Sequence, residues 1–204
     1  MEGKTSITRL TSEDYKTYFE KGISYQAYLQ NMENEVASKI ETEYSQYIPM
    51  NLQRSKRIAK TLQLQEPTKT VIKSLTKKVN WLLISEHWCG DASQILPVIN
   101  AFADFSNKMI DLRVVYRDEN PELIEAHLTN GTKSVPKLIQ LDENFVITAI
   151  GESRPEEAQK LVKQVKANPE TANNYSEILH KWYADDKTIS TQKDLIALLN
   201  RSKF

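Results

Sequence analysis

The sequence predicts an α/β protein, a central mixed sheet flanked by helices, with further helices added at both the N-terminal and C-terminal ends. Three observations carry this. Two short apolar runs, Trp81 to Ser85 (WLLIS) and Leu112 to Tyr116 (LRVVY), have the continuous hydrophobicity of strands buried on both faces. Between them Ile95, Leu96, Ile99, Phe102 and Ala103 recur at helical spacing, so the order strand, helix, strand reads as one βαβ unit of a parallel sheet. Outside residues 66 to 167 the periodicity is helical throughout, which divides the chain into an N-terminal helical extension over 1–65, a central domain over 66–167 and a C-terminal helical extension over 168–204 packed on that domain.

The elements follow in chain order. Thr11 and Asp14 form a capping-box pattern before an apolar face of Tyr15, Tyr18 and Phe19, and Gly22 marks a stop. A second helix is expected from Ser24, because Tyr25, Leu29, Met32, Val36, Ile40 and Tyr44 keep helical spacing until Pro49 interrupts. This stripe is expected to pack on the central domain, since tyrosine suits a half-buried surface; a ligand groove is the other reading. Leu138 to Leu141 and Phe145 to Ile150 flank Asp142, Glu143 and Asn144, the pattern of an antiparallel hairpin. After Gly151, Ser153 with Glu156 and Pro155 announce a helix bearing Leu161, Val162 and Val165. Tyr175, Ile178, Leu179 and Trp182 share a face of the next helix, and Thr191 and Asp194 are expected to cap a final one carrying Leu195, Ile196, Leu198 and Leu199.

Composition narrows the function classes. With 204 residues, 40% hydrophobic and 26% charged, the chain suits one well-buried core with appendages. The first ten residues lack a signal-peptide pattern, and no apolar stretch is long enough to span a bilayer, so a cytoplasmic protein with no membrane partner is expected. A single cysteine among the 204 residues agrees, because it cannot form an internal disulfide. Net charge is zero, yet Arg54, Lys56, Arg57, Lys60, Lys69, Lys73, Lys77 and Lys78 face only Glu66 over residues 51–80. These are read as the solvated faces of two short helices. No aromatic residue is interleaved with them, so nucleic acid is not the expected partner. One cysteine and three histidines make no convincing metal set, and neither a metal nor a cofactor is expected.

Chemistry concentrates at Glu86-His87-Trp88-Cys89-Gly90-Asp91-Ala92-Ser93, where a buried strand hands over to an amphipathic helix. Unpaired N–H groups at a helix start favour negative charge, so a cysteine there has a reason to be a reactive thiolate. Asp91 opposes that charge. His87 would modulate the cysteine's acidity if protonated and close; the favoured reading is a strand-end histidine that merely hydrogen-bonds the backbone.

These residues resemble the thioredoxin superfamily. Trp88-Cys89-Gly90 is similar to the tryptophan, nucleophilic cysteine and glycine of its Trp-Cys-Gly-Pro-Cys motif, and Pro97 stands eight residues after the cysteine, like the helix-kinking proline of thioredoxins. Ser134-Val135-Pro136-Lys137-Leu138 resembles their cis-proline segment. A nearer resemblance is to bacterial thioredoxin-like proteins with WCGDA in place of the dithiol motif and helical additions at both ends, shared also in NLQRSKRIAKT, RDENPEL and WYADDK. The resemblance implies Cys89 as the catalytic residue, a cis Val135-Pro136 bond facing it, and Trp88, Gly90, Asp91, Val135 and Pro136 as the substrate-binding set.

Two departures bear on mechanism. Ala92 stands where the resolving cysteine would be, so a mixed disulfide at Cys89 needs an external thiol to release it. Leu83 stands where thioredoxins bury an acidic residue. Two functions stay open: monothiol exchange through Cys89 with a client protein or a small thiol such as glutathione, and a non-catalytic binding or scaffold module that holds a peptide or protein beside Pro136. Trp182 and Tyr183 are expected to pack the C-terminal helix, with narrowed access to Cys89 as the other outcome.

Overall fold

The computed structural model describes residues 9–201. Four strands, β1 (Val79–Ser85), β2 (Ile110–Tyr116), β3 (Lys137–Leu141) and β4 (Ile147–Gly151), form one sheet in the order β2-β1-β3-β4. β1 and β2 run parallel with Leu83 opposite Val114, while β1–β3 and β3–β4 are antiparallel, so the sheet is mixed as expected. The central strands are apolar on both faces because both faces are covered: Trp81, Leu82, Leu83, Ile84 and Ile139 are all fully buried.

The connections follow from local chemistry. The parallel step from β1 to β2 passes through α5 (Gly90–Phe105), which carries Pro97 in its interior, and a short α6 (Pro121–Glu125) follows β2. The β3–β4 loop turns on Asp142, whose Oδ1 accepts the N–H groups of Asn144 and Val146, and Phe145 adopts a positive φ of 59°.

Ahead of the sheet lie α1 (Ser12–Lys21), α2 (Tyr25–Ser38), α3 (Ile48–Thr61) and α4 (Glu66–Lys73). The Thr11–Asp14 capping box opens α1 as expected. Past Gly22 the chain turns so tightly onto the sheet that a Cβ there would sit 2.7 Å from Cβ of Arg113. That approach lets Ile23 exchange both backbone hydrogen bonds with Val114, which covers the free edge of β2.

α2 ends earlier than its periodicity suggests. Lys39 takes a left-handed conformation, and Ile40 and Tyr44 turn out to solvent instead of continuing the stripe. Pro49 then opens α3 from its first turn, where a missing N–H costs nothing, so it marks a helix start and not merely an interruption.

Beyond the sheet come α7 (Glu156–Ala167), α8 (Tyr175–Asp186) and α9 (Ile189–Asn200). The caps differ from expectation. Ser153 does not cap α7; the Glu156 N–H is taken by Asp194 Oδ2 at 2.8 Å, a carboxylate from α9. Thr191 is buried inside α9, and Asp186 accepts the N–H and hydroxyl of Ser190 in the first turn. α3 packs on α5, α9 on β4, α5 and α4, and α8 on α7, so the terminal helices wrap the central layer.

Candidate functional site

The carboxyl end of β1 delivers Cys89 to the first turn of α5. Cys89 is the N-cap of that helix: its Sγ accepts the Ala92 N–H at 3.4 Å, using one of the unpaired donors of the helix start. Its own S–H donates to the Val135 carbonyl at 3.2 Å, and the Val135-Pro136 bond is cis. The structure therefore brings together Cys89, Val135 and Pro136, which are 46 and 47 positions apart in the chain.

Access to the sulfur is another matter. Cys89 is only 7% exposed, and Val135 is buried to the same degree. Burial pushes the Cys89 thiol up to about 12, and the Asp91 carboxylate adds to that shift; the hydrogen bond from Ala92 opposes both and loses. Desolvation therefore outweighs the helix-terminus effect of about 0.3–1 kcal/mol that favours the thiolate.

The other expected site residues are held by the flanking helices. Asp91, buried at the start of α5, accepts a 2.7 Å hydrogen bond from an Arg154 guanidinium nitrogen and a 2.8 Å bond from the Tyr183 hydroxyl on α8. Burial drives its carboxyl up while Arg154 and Tyr183 draw it down, so this group is a partner to protein side chains before it can be one to a ligand. Gly90 lies beneath His180 of α8: a Cβ there would come within 2.9 Å of the imidazole Nε2. His180 is held in turn by the Gln94 amide at 3.1 Å, and burial with nearby Arg54 and Arg154 lowers its pKa to about 4, so it sits there neutral.

The His87 ring is held by Glu35 and Tyr116. Its Nδ1 lies 2.5 Å from Glu35 Oε2 on α2 and its Nε2 lies 3.1 Å from the Tyr116 hydroxyl, so both ring nitrogens are committed to side chains, and neither a pairing with Cys89 nor a ring bond to the backbone is made. Its backbone carbonyl accepts from Asn51 of α3. Trp88 is half-buried between Arg117, whose guanidinium lies 4.7 Å from the ring centroid, and Tyr44 at 5.1 Å.

On the other side of the Pro136 loop, Lys137 is buried with its ammonium bonded to Thr129 and Glu152. Pro136 also borders a cleft of about 390 Å³ between the sheet, α5, α7 and α9, floored by Leu83, Ile95, Leu138 and Leu198 with Arg154 in its lining. Its apolar character depends in part on Leu83, at the position expected to lack an acid. Among the described residues no group of histidines, cysteines and carboxylates is arranged to hold a metal ion.

A family model described as thioredoxin matches residues 37–166, more than half of the chain. The chain belongs to the thioredoxin family. The matched region takes in α3 and α4 as well as the sheet, so within the family these helices are part of the recognisable unit. Two solved structures share the fold. One is the protein of unknown function PA1234 from Pseudomonas aeruginosa, 15% identical with a TM-score of 0.66, covering 91% of this chain and 96% of that one. The other is an HIV epitope-scaffold, also 15% identical, with a TM-score of 0.63 and coverage of 91% and 97%. No curated protein matches.

The sequence does not single out Arg154, His180 or Gln94, and Tyr183 stands in it as a packing residue, with narrowed access to Cys89 as the other outcome. Arg154 sits in a polar loop and the others on helix faces of ordinary composition, so no spacing distinguished them; only their convergence on the start of α5 does.

Proposed function

We propose that this thioredoxin-family chain is a non-catalytic binding module, in which the cleft beside Pro136 receives a segment of a client peptide or protein and Cys89 acts as a buried packing and capping residue. One observation carries the reading: the Cys89 thiol is buried and hydrogen-bonded to the Val135 carbonyl, and that burial pushes its pKa up to about 12. A thiol in that state is a poor nucleophile, and Ala92 leaves no second thiol to complete an exchange. The cleft offers an apolar floor with a few polar groups, the usual character of a binding site.

The competing reading is monothiol exchange through Cys89, with a client protein or glutathione. It is favoured by the adjacency of the sulfur and the Pro136 loop and opposed by that burial. Alkylation of the native protein with iodoacetamide as a function of pH separates the two. Negligible modification at neutral pH, complete modification after denaturation, and no adduct with oxidised glutathione are expected. Rapid alkylation with an apparent pKa at or below the free-thiol value of about 8.5 would overturn the binding-module reading.

A further inference from the structure

The α2–α3 connection carries an apolar surface that the fold leaves uncovered. Ile40 is 67% exposed, Tyr44 40%, Tyr47 52% and Met50 56%, while their neighbours Ile48 and Asn51 are buried. Tyr44, Tyr47 and Met50 recur every three residues through a 3-10 turn (Ser45–Tyr47) and the first turn of α3, a spacing that stacks side chains along one side. Tyr44 packs on Trp88, so the ledge is continuous with the turn that carries Cys89. Aromatic residues and methionine exposed together are the side chains that anchor protein interfaces.

The charge beside the ledge is predominantly acidic. A groove of about 530 Å³ runs beside it, with Glu35, Glu41 and Glu43 against the single cation Lys39 in its lining. Beyond Trp88 the rim continues with Asp118, and the cation there, Arg117, is already engaged with Asp118 and with the Trp88 ring. An apolar ledge next to an acidic groove is complementary to a partner with the opposite charge pattern.

We infer that Tyr44, Tyr47, Met50 and Trp88, with Glu41 and Glu43 beside them, form a docking surface for a protein segment in which arginine or lysine alternates with apolar or aromatic residues. The apolar side chains of the segment lie on the ledge and its cations enter the groove. This surface is separate from the cleft beside Pro136, and each is read independently.

The test is an amide-resolved NMR titration with three short synthetic peptides that share leucine and tyrosine positions and carry arginine, glutamate or serine between them. The arginine peptide is expected to shift signals of residues 40–50, Trp88 and Asp118, to bind more weakly as salt is raised, and to outbind the other two. Tyr44→Ala/Tyr47→Ala, at exposed positions, should weaken it by about tenfold, the scale of losing an anchor residue. Glu41→Lys/Glu43→Lys should transfer preference to the glutamate peptide. Equal response to all three peptides, or none, overturns the inference. Shifts confined to Leu138, Leu195 and their neighbours overturn it while leaving the binding-module reading intact. Concentration-dependent shifts at residues 40–50 without peptide assign the ledge to a second copy of this chain and overturn it as well.

Discussion

The Tyr183 hydroxyl donates a 2.8 Å hydrogen bond to Oδ1 of Asp91, joining a C-terminal helix to the first turn of the helix that holds Cys89. The other carboxylate oxygen takes Arg154, so three segments meet at one buried charge. Tyr183→Phe removes a donor to a charged group and should cost about 1.5–3 kcal/mol in urea unfolding. Asp91→Ala strands a guanidinium that is largely buried and should cost more, about 3–5 kcal/mol. Unchanged stability in both variants would show that α8 does not depend on this contact.

Glu86, just after β1, is buried and accepts the Asp118 N–H at 2.9 Å; desolvation raises its carboxyl to about 7, more than that hydrogen bond lowers it. Between the ordinary carboxylate value of about 4.3 and 7, the folded chain holds a proton that the unfolded chain has released. Glu86 therefore contributes stability that is full below that range and lost as pH rises through it. Glu86→Gln keeps an acceptor for Asp118 without a charge, and should be more stable than the parent by about 1–2 kcal/mol at pH 8, a gap that closes toward pH 4. Urea midpoints across this range check it; a gap independent of pH would contradict it.

Gln192 of α9 is almost fully buried and makes four hydrogen bonds: Oε1 accepts from the Gln65 N–H and the Thr68 hydroxyl, and Nε2 donates to the Gln63 carbonyl and to Thr188 Oγ1. It thereby fixes the entry to α4. Gln192→Leu, close in volume, leaves the buried Thr68 hydroxyl and the part-buried Gln65 N–H without their acceptor and should cost about 2 kcal/mol. Faster amide exchange at Gln65 should accompany that loss, since its N–H loses its acceptor.

Much of the fold was legible because its signals are local. Continuous apolar runs announced β1 and β2, the short polar loop Asp142-Glu143-Asn144 announced the hairpin, and Thr11 with Asp14 announced α1, each within a few residues of chain. The misreadings share a cause. Asp194 reads as a cap for its own helix but serves α7, and Ile40 and Tyr44 keep a helical spacing that the left-handed Lys39 ends. A capping side chain satisfies whichever N–H is nearest in space, and sequence separation does not reveal that distance.

The candidate site divides along the same line. Motif and periodicity encode where the chain turns from strand to helix, so residue order was enough to read the thioredoxin-family core, the position of Cys89 at a helix start and the lack of a resolving thiol at Ala92. The state of that cysteine is set by packing. The acidity of a thiol depends on the water and charges within a few ångströms, and here burial, the nearby Asp91 carboxylate and the hydrogen bond to the Val135 carbonyl all favour the protonated sulfur.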